Sequence, residues 1–440
     1  FFLDDFANIS NIMTKDTTKI IRGFKDIYND LEIKLLVDFE TIISNISKQY
    51  GINELRPPIL ERTELFERSI GADTEIVNKE MYSFEDKNSE SISLRPEGTV
   101  TCVRCVIENN LIYDRGIKRK KYWYYGPMFR RERPQKGRFR QFNQFGIEYF
   151  GFDDINSDLE VIMFGNRLFK KELGIKDATL HINSIGNTED RKKYGDTIKS
   201  FLKKHTKILT EDQKKTLNRN PIRLLDAKSE TLREILYELP NLIDMLSIKS
   251  RKRVDDLLER LNQSNIEYIL DNSIVRGLDY YNDTVFEWKH KSLGSQDAIC
   301  AGGRYDGLVN KIGKIDVPAV GFAVGVERVL LVLRESYKNT KENNIAVILN
   351  YAKKDSVKCL MKIEKLRDQF NKIVFYSTNS SSTLDKQYKQ AEKINPNYIL
   401  YFGDEEIQSD KYTIKTLKDG IKHEQISESE LIEILKKINK

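Results

Sequence analysis

Tyr125-Gly-Pro-Met-Phe-Arg-Arg-Glu-Arg-Pro-Gln-Lys-Gly-Arg-Phe-Arg-Gln-Phe-Asn-Gln-Phe-Gly-Ile-Glu148 reads as the heart of a long-looped antiparallel hairpin. Its two strands, Tyr122 to Phe129 and Phe139 to Phe150, are rich in aromatic residues, and the polar, basic stretch Arg130 to Arg138 joins them. In the second strand Gln144, Gly146 and Glu148 sit at i, i+2 and i+4, so they share one face. Burying an amide and a carboxylate on such a strand is costly unless something satisfies them. The face is therefore either the solvated side of an edge strand or part of a ligand site. Arg130, at the end of the first strand, suits a bidentate grip on a phosphate. The loop Arg133-Pro-Gln-Lys-Gly-Arg138 adds donors for a polyanion.

Upstream of the hairpin, Leu35, Leu36, Phe39, Ile42, Ile43 and Ile46 recur at helical spacing between Leu31 and Lys48. Gly51 and Pro57-Pro58 end that helix. Phe66 to Ser83 reads as a charged loop, and Ile92-Ser-Leu94 as a short strand. Pro96 and Gly98 in Leu94-Arg-Pro-Glu-Gly-Thr99 make a tight turn that points Glu97 and Thr99 outward. Downstream, Asp158 to Leu173 reads as a helix and Ala178 to Asn183 as a strand. Glu189 to Asn265 is almost wholly helical in pattern, broken at Asn220-Pro221.

Strand character resumes at Gly277 to Trp288 and Asp297 to Ala301, and Val320 to Ala323 feeds a helix from Gly325 to Leu333. In Val275-Arg-Gly-Leu-Asp-Tyr-Tyr281 the alternation puts Asp279 and Tyr281 on one face with Arg276 at its mouth. Ala301-Gly-Gly-Arg-Tyr305 reads as a flexible glycine turn. Gly321-Phe-Ala-Val-Gly-Val-Glu-Arg328 is a strand–glycine–helix passage, neither a phosphate-binding P-loop nor a dinucleotide fingerprint. A polar linker follows at Tyr337 to Asn344. Beyond it strands and helices alternate, which predicts a separate small α/β domain.

Composition narrows the function classes. The 440 residues carry 73 basic and 67 acidic side chains, a formal charge of +6 that permits a polyanionic partner without demanding one. Four cysteines are too few for a disulfide framework in a chain this long and favour a reducing compartment. Cys102 and Cys105 form a C-x-x-C without a second pair or nearby histidines, so half-buried thiols on a helix are expected rather than a zinc site. No apolar run reaches the roughly 18 residues of a membrane span. Phe1 to Ile12, with Asp4 and Asp5, fits neither a secretory signal nor a mitochondrial presequence, and Met13 is a candidate natural start.

Arg130, Arg276 and Arg328, the carboxylates Glu97 and Glu148, and several amide and phenol donors remain, with no metal-ligand cluster and no activated nucleophile. Arginines without a nucleophile suit charge stabilisation at phosphorus, where catalysis is mostly positioning and electrostatics.

The quoted stretch closely resembles class II motif 2 in its histidyl-tRNA synthetase form. Val275 to Tyr281 and Ala301 to Tyr305 look like that family's two histidine signatures, and Ala319 to Arg328 looks like motif 3. Arg22-Gly-Phe-Lys-Asp26, Leu65-Phe66 with Arg68, and Asn220-Pro-Ile-Arg-Leu-Leu-Asp226 are also similar to family segments. The resemblance implies an α+β fold: a class II antiparallel sheet flanked by helices, a helical insertion, and a C-terminal α/β anticodon-binding domain. The implied boundaries are 14–187 and 269–336 for the catalytic core, 188–268 for the insertion and 345–440 for the last domain.

It further implies activation of histidine by ATP, with Mg²⁺, and transfer to tRNA(His). Arg130 would hold the α-phosphate, Glu132 the adenine, Arg138 the distal phosphates and Arg328 the γ-phosphate. Glu97, Thr99 and Gln144 would take the α-amino group of histidine. Glu148 and Tyr281 would grip the imidazole, while Tyr280 and Tyr305 shape its pocket. Arg276 would reach both the substrate carboxylate and the α-phosphate as a fixed cation. Motif 1, about Leu35 to Pro58, implies a homodimer, and a cytoplasmic location is expected. Non-catalytic relatives, which serve as regulatory subunits or tRNA sensors, often lose the motif arginines, the histidine signatures or the C-terminal domain; all are present here.

Overall fold

A computed structural model describes residues 19–71, 74–226, 229–275, 278–294, 297–336, 344–350, 356–378 and 382–436. Phe1 to Ile12, Arg276 with Gly277, and 337–343 of the expected linker lie outside the described residues. Two compact units divide the chain, 1–336 and 337–440.

In the first unit the helix Asp30–Gln49 opens where the Asn29 side chain accepts from the Leu31 and Glu32 amides, with Asp30 and Glu32 in the first turn. It buries Leu35, Phe39, Ile43 and Ile46, the spacing seen in the sequence. It ends at Gly51, whose φ of +66° turns the chain out.

The strands run β1 (Asn53–Glu54), β2 (Leu60–Arg62), β3 (Tyr82–Glu85), β4 (Ser91–Leu94), β5 (Lys120–Phe129), β6 (Gln141–Phe150), β7 (Thr179–Ser184), β8 (Tyr268–Leu270), β9 (Asn282–Lys289), β10 (Ala298–Arg304) and β11 (Ala319–Gly325). Eight of them form one sheet in the order β1-β5-β6-β11-β10-β9-β7-β8. Its pairings are antiparallel except at the two ends, β1 with β5 and β7 with β8. β2, β4 and β3 make a small separate sheet.

One face of the large sheet is sealed by aromatic packing. Phe145 meets Phe39 at 6.4 Å, Phe164 at 6.0 Å and Phe322 at 6.1 Å between ring centroids. Edge and tilted pairs of this kind add about 0.5–1.5 kcal/mol each beyond the area they bury. The opposite face meets the helix Thr99–Glu108, which buries Val100, Val103 and Val106, and the helix Asp306–Gly313 with Leu308 and Val309. β6 is thus an interior strand, buried from Gln144 to Phe150, and not a solvated edge.

Three expectations are corrected. Phe66 to Ser83 is not a loop: the helix Thr63–Ile70 and the π-helical turn Ile76–Glu80 precede β3. The alternating strand expected from Gly277 begins only at Asn282, and 278–280 form a bend and turn before it. Ala301 to Arg304 is not a flexible turn but the end of β10; Gly302 is required because a Cβ there would lie 2.5 Å from the Gly321 carbonyl oxygen. The helical segment follows the expected pattern, with helices Thr188–Leu202, Glu211–Arg219, Glu230–Leu236 and Ile248–Gln263.

The second unit has β12 (Asn344–Asn350), β13 (Ile373–Ser377), β14 (Tyr398–Phe402), β15 (Tyr412–Thr416) and β16 (Lys422–Ile426) in the order β13-β12-β14-β15-β16. β12 pairs parallel with both neighbours, as strand–helix alternation requires. β15 and β16 pair antiparallel and close the sheet. Its cores draw only on its own residues, among them Ile348, Ile363, Leu400 and Leu431 on one side and Val347, Ala391 and Ile399 on the other. Among the described residues no helix is long and apolar enough to cross a membrane.

Candidate active site

Glu148 is fully buried on β6. Its Oε2 accepts from the Tyr305 hydroxyl, while Oε1 is buried without a hydrogen-bond partner. Across the ladder stands Gly321 of β11, where any Cβ would collide with the Glu148 carboxylate. Burial raises the Glu148 carboxyl to about 8, against the opposing pull of the Tyr305 and Thr99 hydroxyls. The space above Gly146 is not empty: the Tyr124 ring, from the register partner on β5, fills it and is also pressed against Gly98. The buried Tyr124 hydroxyl has no hydrogen-bond partner. Sequence reasoning missed this residue.

Glu97 and Thr99 point inward, contrary to expectation, and both are buried. The Glu97 carboxylate accepts from the Thr99 amide at 2.9 Å and the Val100 amide at 2.7 Å, capping the helix Thr99–Glu108 from one residue outside it. A carboxylate aimed at free helical N–H groups is held inside for that reason. Desolvation still raises its pKa, opposed by those two amides and by Arg130. Gln144 Oε1 accepts from the Gly98 amide at 3.1 Å, tying β6 to the same turn. The Tyr280 hydroxyl faces Glu97 Oε2 at 3.4 Å. Tyr280 lies 4.7 Å from Tyr281 and 5.7 Å from Tyr305 between ring centroids, and the latter two stand edge to face at 6.3 Å. Glu97, Thr99, Gln144, Glu148, Tyr280, Tyr281 and Tyr305 therefore converge on one site.

Arg130 adjoins it through Pro96. Arg130 Nε donates to the Pro96 carbonyl at 2.8 Å, and its guanidinium lies 5.3 Å from the Phe142 ring centre. Glu132 sits between Arg138, 2.7 Å away, and Arg130, 3.8 Å away. Arg328 is held below the ordinary guanidinium pKa by burial and by Arg138. Gly137, at φ +74°, brings the 133–138 loop against the Arg328 stem. Next to it Glu327 accepts from the Asn143 amide at 2.9 Å and the Asn143 side chain at 3.0 Å, locking β6 to the helix Val326–Ser336.

Two signature residues do structural work instead. Arg304 is buried in a network with Asp158, Ser157 at 3.0 Å, Asp306 at 3.0 Å and the Phe152 carbonyl at 2.9 Å. Asp279 faces Arg223 and Asn220, not the pocket that receives Tyr281. Arg95, which sequence reasoning passed over, is buried and spans from Pro57 to Pro127 by carbonyl contacts of 2.8 and 2.9 Å. Cys102 is buried and Cys105 half-buried, and burial pushes both thiols up. Among the described residues no group of three or more His, Cys, Asp or Glu is placed to hold a metal.

A buried carboxylate set among phenols suits a small ring that carries N–H groups. The arginine mouth suits phosphates.

Known proteins resemble this chain over nearly its whole length. A family model described as histidyl-tRNA synthetase matches residues 23–329, and one described as anticodon binding domain matches 344–438. The histidine–tRNA ligase of Buchnera aphidicola subsp. Schizaphis graminum is 42% identical over 421 residues, covering 95% of this chain and 97% of the relative. That of Hydrogenovibrio crunogenus is 40% identical over 418 residues, covering 94% and 97%. The crystal structure of apo S. aureus histidyl-tRNA synthetase superposes with a TM-score of 0.77 at 29% identity, covering 94% of this chain and 99% of that one.

Proposed function

The chain belongs to the histidyl-tRNA synthetase family and is an ATP-dependent histidine–tRNA ligase, and on that premise we propose the part each residue plays. The observation that carries the assignment is Glu148: a buried carboxylate with one oxygen tied to Tyr305 and the other unpartnered. A buried acceptor left open costs free energy that an incoming N–H donor recovers.

Histidine enters with its imidazole between Glu148 and Tyr281. Tyr280 and Tyr305 wall the pocket, and Glu97, Thr99 and Gln144 receive the α-amino group. ATP lies over Arg130, which holds the α-phosphate, with Glu132 at the adenine and Arg138 and Arg328 on the distal phosphates. Arg276 bridges the substrate carboxylate and the α-phosphate. The histidine carboxylate attacks the α-phosphorus and pyrophosphate leaves. The guanidinium groups stabilise charge that grows at phosphorus, in a site already oriented before the nucleotide binds. The tRNA terminal hydroxyl then attacks the adenylate carbonyl and AMP departs. Mg²⁺ carried in with ATP would add positive charge at the phosphates beside Arg138 and Arg328.

Further parts of the reading concern assembly, division and place. The helix Asp30–Gln49 presents exposed Ile33 and Val37 beside the open edge strand β1, and a homodimer would cover them. Residues 14–187 and 269–336 act as the catalytic core, 188–268 as an inserted helical domain and 345–440 as the tRNA anticodon-reading domain, in the cytoplasm. Histidine-dependent exchange of pyrophosphate into ATP tests the activation half. Exchange that ignores histidine, or prefers another amino acid, overturns the reading.

A further inference from the structure

The dipeptide Tyr280-Tyr281 is gripped on both sides by the helical segment. On its C-terminal side, Arg191 of the helix Thr188–Leu202 donates from Nη1 to the Tyr281 carbonyl at 2.9 Å. On its N-terminal side, Asp279 receives Arg223 Nε at 3.0 Å, Arg223 Nη2 at 2.9 Å and the Asn220 amide at 2.7 Å. Asn220 immediately precedes the short 3₁₀ turn Pro221–Asp226, and Arg223 is its third residue. The Asp279 carboxylate also lies against Gly71, whose φ of +106° and missing Cβ make room for it. The sheet contributes less here. Residues 278–280 form a bend and turn, Tyr281 has no regular structure, and β9 begins only at Asn282.

The pocket wall is close enough to feel this grip. The two rings touch each other, and the Tyr280 hydroxyl faces Glu97. A turn without ladder hydrogen bonds takes its position from the contacts at its ends. Charge-assisted bonds to partly buried partners are the strong kind, and a misplacement of about 1 Å near a reacting group costs on the order of a hundredfold. We propose that Arg191 and Arg223 are positioning residues for amino-acid selection, so that the helical segment sets where the Tyr280 and Tyr281 rings stand around histidine. The inference rests on the histidine-ligase reading above.

The test is steady-state pyrophosphate exchange with the full chain, varying histidine and ATP separately, for wild type, Arg223→Ala, Arg223→Lys and Asp279→Asn. Arg223→Ala should raise the KM for histidine ~10-fold or more while the KM for ATP stays within ~2-fold. Arg223→Lys, which keeps the charge but not the fork, should fall between. The isosteric Asp279→Asn should reproduce the split, and adding it to Arg223→Ala should worsen histidine KM little, because both remove one contact. A merely structural role would lower the melting temperature and the active fraction without separating the two KM values. Histidine and ATP KM rising together, or a histidine KM that ignores both variants in an active enzyme, overturns the inference alone. A wild type without histidine-dependent exchange overturns the function and this inference with it.

Discussion

Gly321 faces Glu148 across the β6–β11 ladder, and the carboxylate occupies the volume where a Cβ would sit. The same Cβ would also strike the Ile147 carbonyl oxygen, which belongs to backbone and does not move aside. Gly321→Ala should therefore displace Glu148 and destabilise the fold by about 1–3 kcal/mol, the usual range for overpacking. We expect the KM for histidine to rise ~10-fold or more while the KM for ATP changes little. Exchange kinetics beside thermal melting check both parts; an unchanged histidine KM would detach Glu148 from the imidazole.

The raised Glu148 carboxyl gives a pH dependence with a definite sign. Unfolded, it ionises near 4.5; folded, near 8. Between those values the folded state binds more protons, so its stability contribution is full below about 4.5 and is lost as pH rises toward 8. Melting temperature followed from pH 5 to 8.5 should show this slope, and Glu148→Gln should flatten it. The same variant should weaken histidine binding by roughly 1–3 kcal/mol, since a neutral amide replaces an acceptor that can ionise, and leave ATP binding nearly unchanged. Titration calorimetry with each ligand separately reads this, and a similar loss for ATP would mean the hairpin itself was disturbed.

The hairpin, the helix Asp30–Gln49 and the strand–helix alternation after residue 344 were legible because each carries a clean local pattern. The charged helix Thr63–Ile70 was not, since Phe66 and Ile70 are its main apolar anchors and eight residues hold barely two turns. Glycines misled in another way. Gly146, Gly302 and Gly321 look like sites of freedom, yet the structure fills their missing side chains with a ring or a carboxylate from a distant strand. Tyr124 gains its importance from Gly98 and Gly146 together, a relation no local pattern contains. Arg304 carries the residue type of a phosphate ligand, and only its burial against Asp158, far off in sequence, reveals a structural role.

Glu327 ties the helix Val326–Ser336, which carries Arg328, to β6 by accepting from both the backbone and the side chain of Asn143. Burial raises its carboxyl to about 6, opposed by the Asn143 amide. Glu327→Ala leaves that half-buried amide without its partner and should cost about 1 kcal/mol of stability. Turnover should fall as well, because Arg328 follows in the next position and loses its anchor to β6. Denaturant melts and exchange rates measure these; a stable variant with full turnover would show the link to be dispensable.

Arg276 is proposed as the fixed cation between the substrate carboxylate and the α-phosphate. Arg276→Ala should then slow adenylate formation on the order of a thousandfold while changing histidine affinity much less, since the interaction strengthens as charge develops. Single-turnover adenylate formation against equilibrium histidine binding separates the two. Losses confined to KM, with turnover intact, would remove the catalytic role.

Deleting the chain from Tyr337 onward should leave a folded unit that still makes histidyl-adenylate and charges tRNA poorly. Every residue proposed for activation lies at or before Arg328, and the second unit draws its core from its own residues, Ile348, Ile363, Leu400 and Leu431 among them. The second unit therefore has a core of its own. Lys386, Lys389, Lys393 and Lys415 belong to the removed unit, and lysines near RNA release counterions when they meet phosphates. The full chain's tRNA affinity should accordingly fall steeply with salt, and the truncated chain should lose most of that dependence. Pyrophosphate exchange, aminoacylation and sedimentation are run on the same truncated protein. Sedimentation matters because a second unit that also buttressed a dimer would lower activation too, and the loss would then track the monomer fraction. Charging at full-length efficiency would remove the 345–440 unit from tRNA binding and return recognition to the catalytic unit.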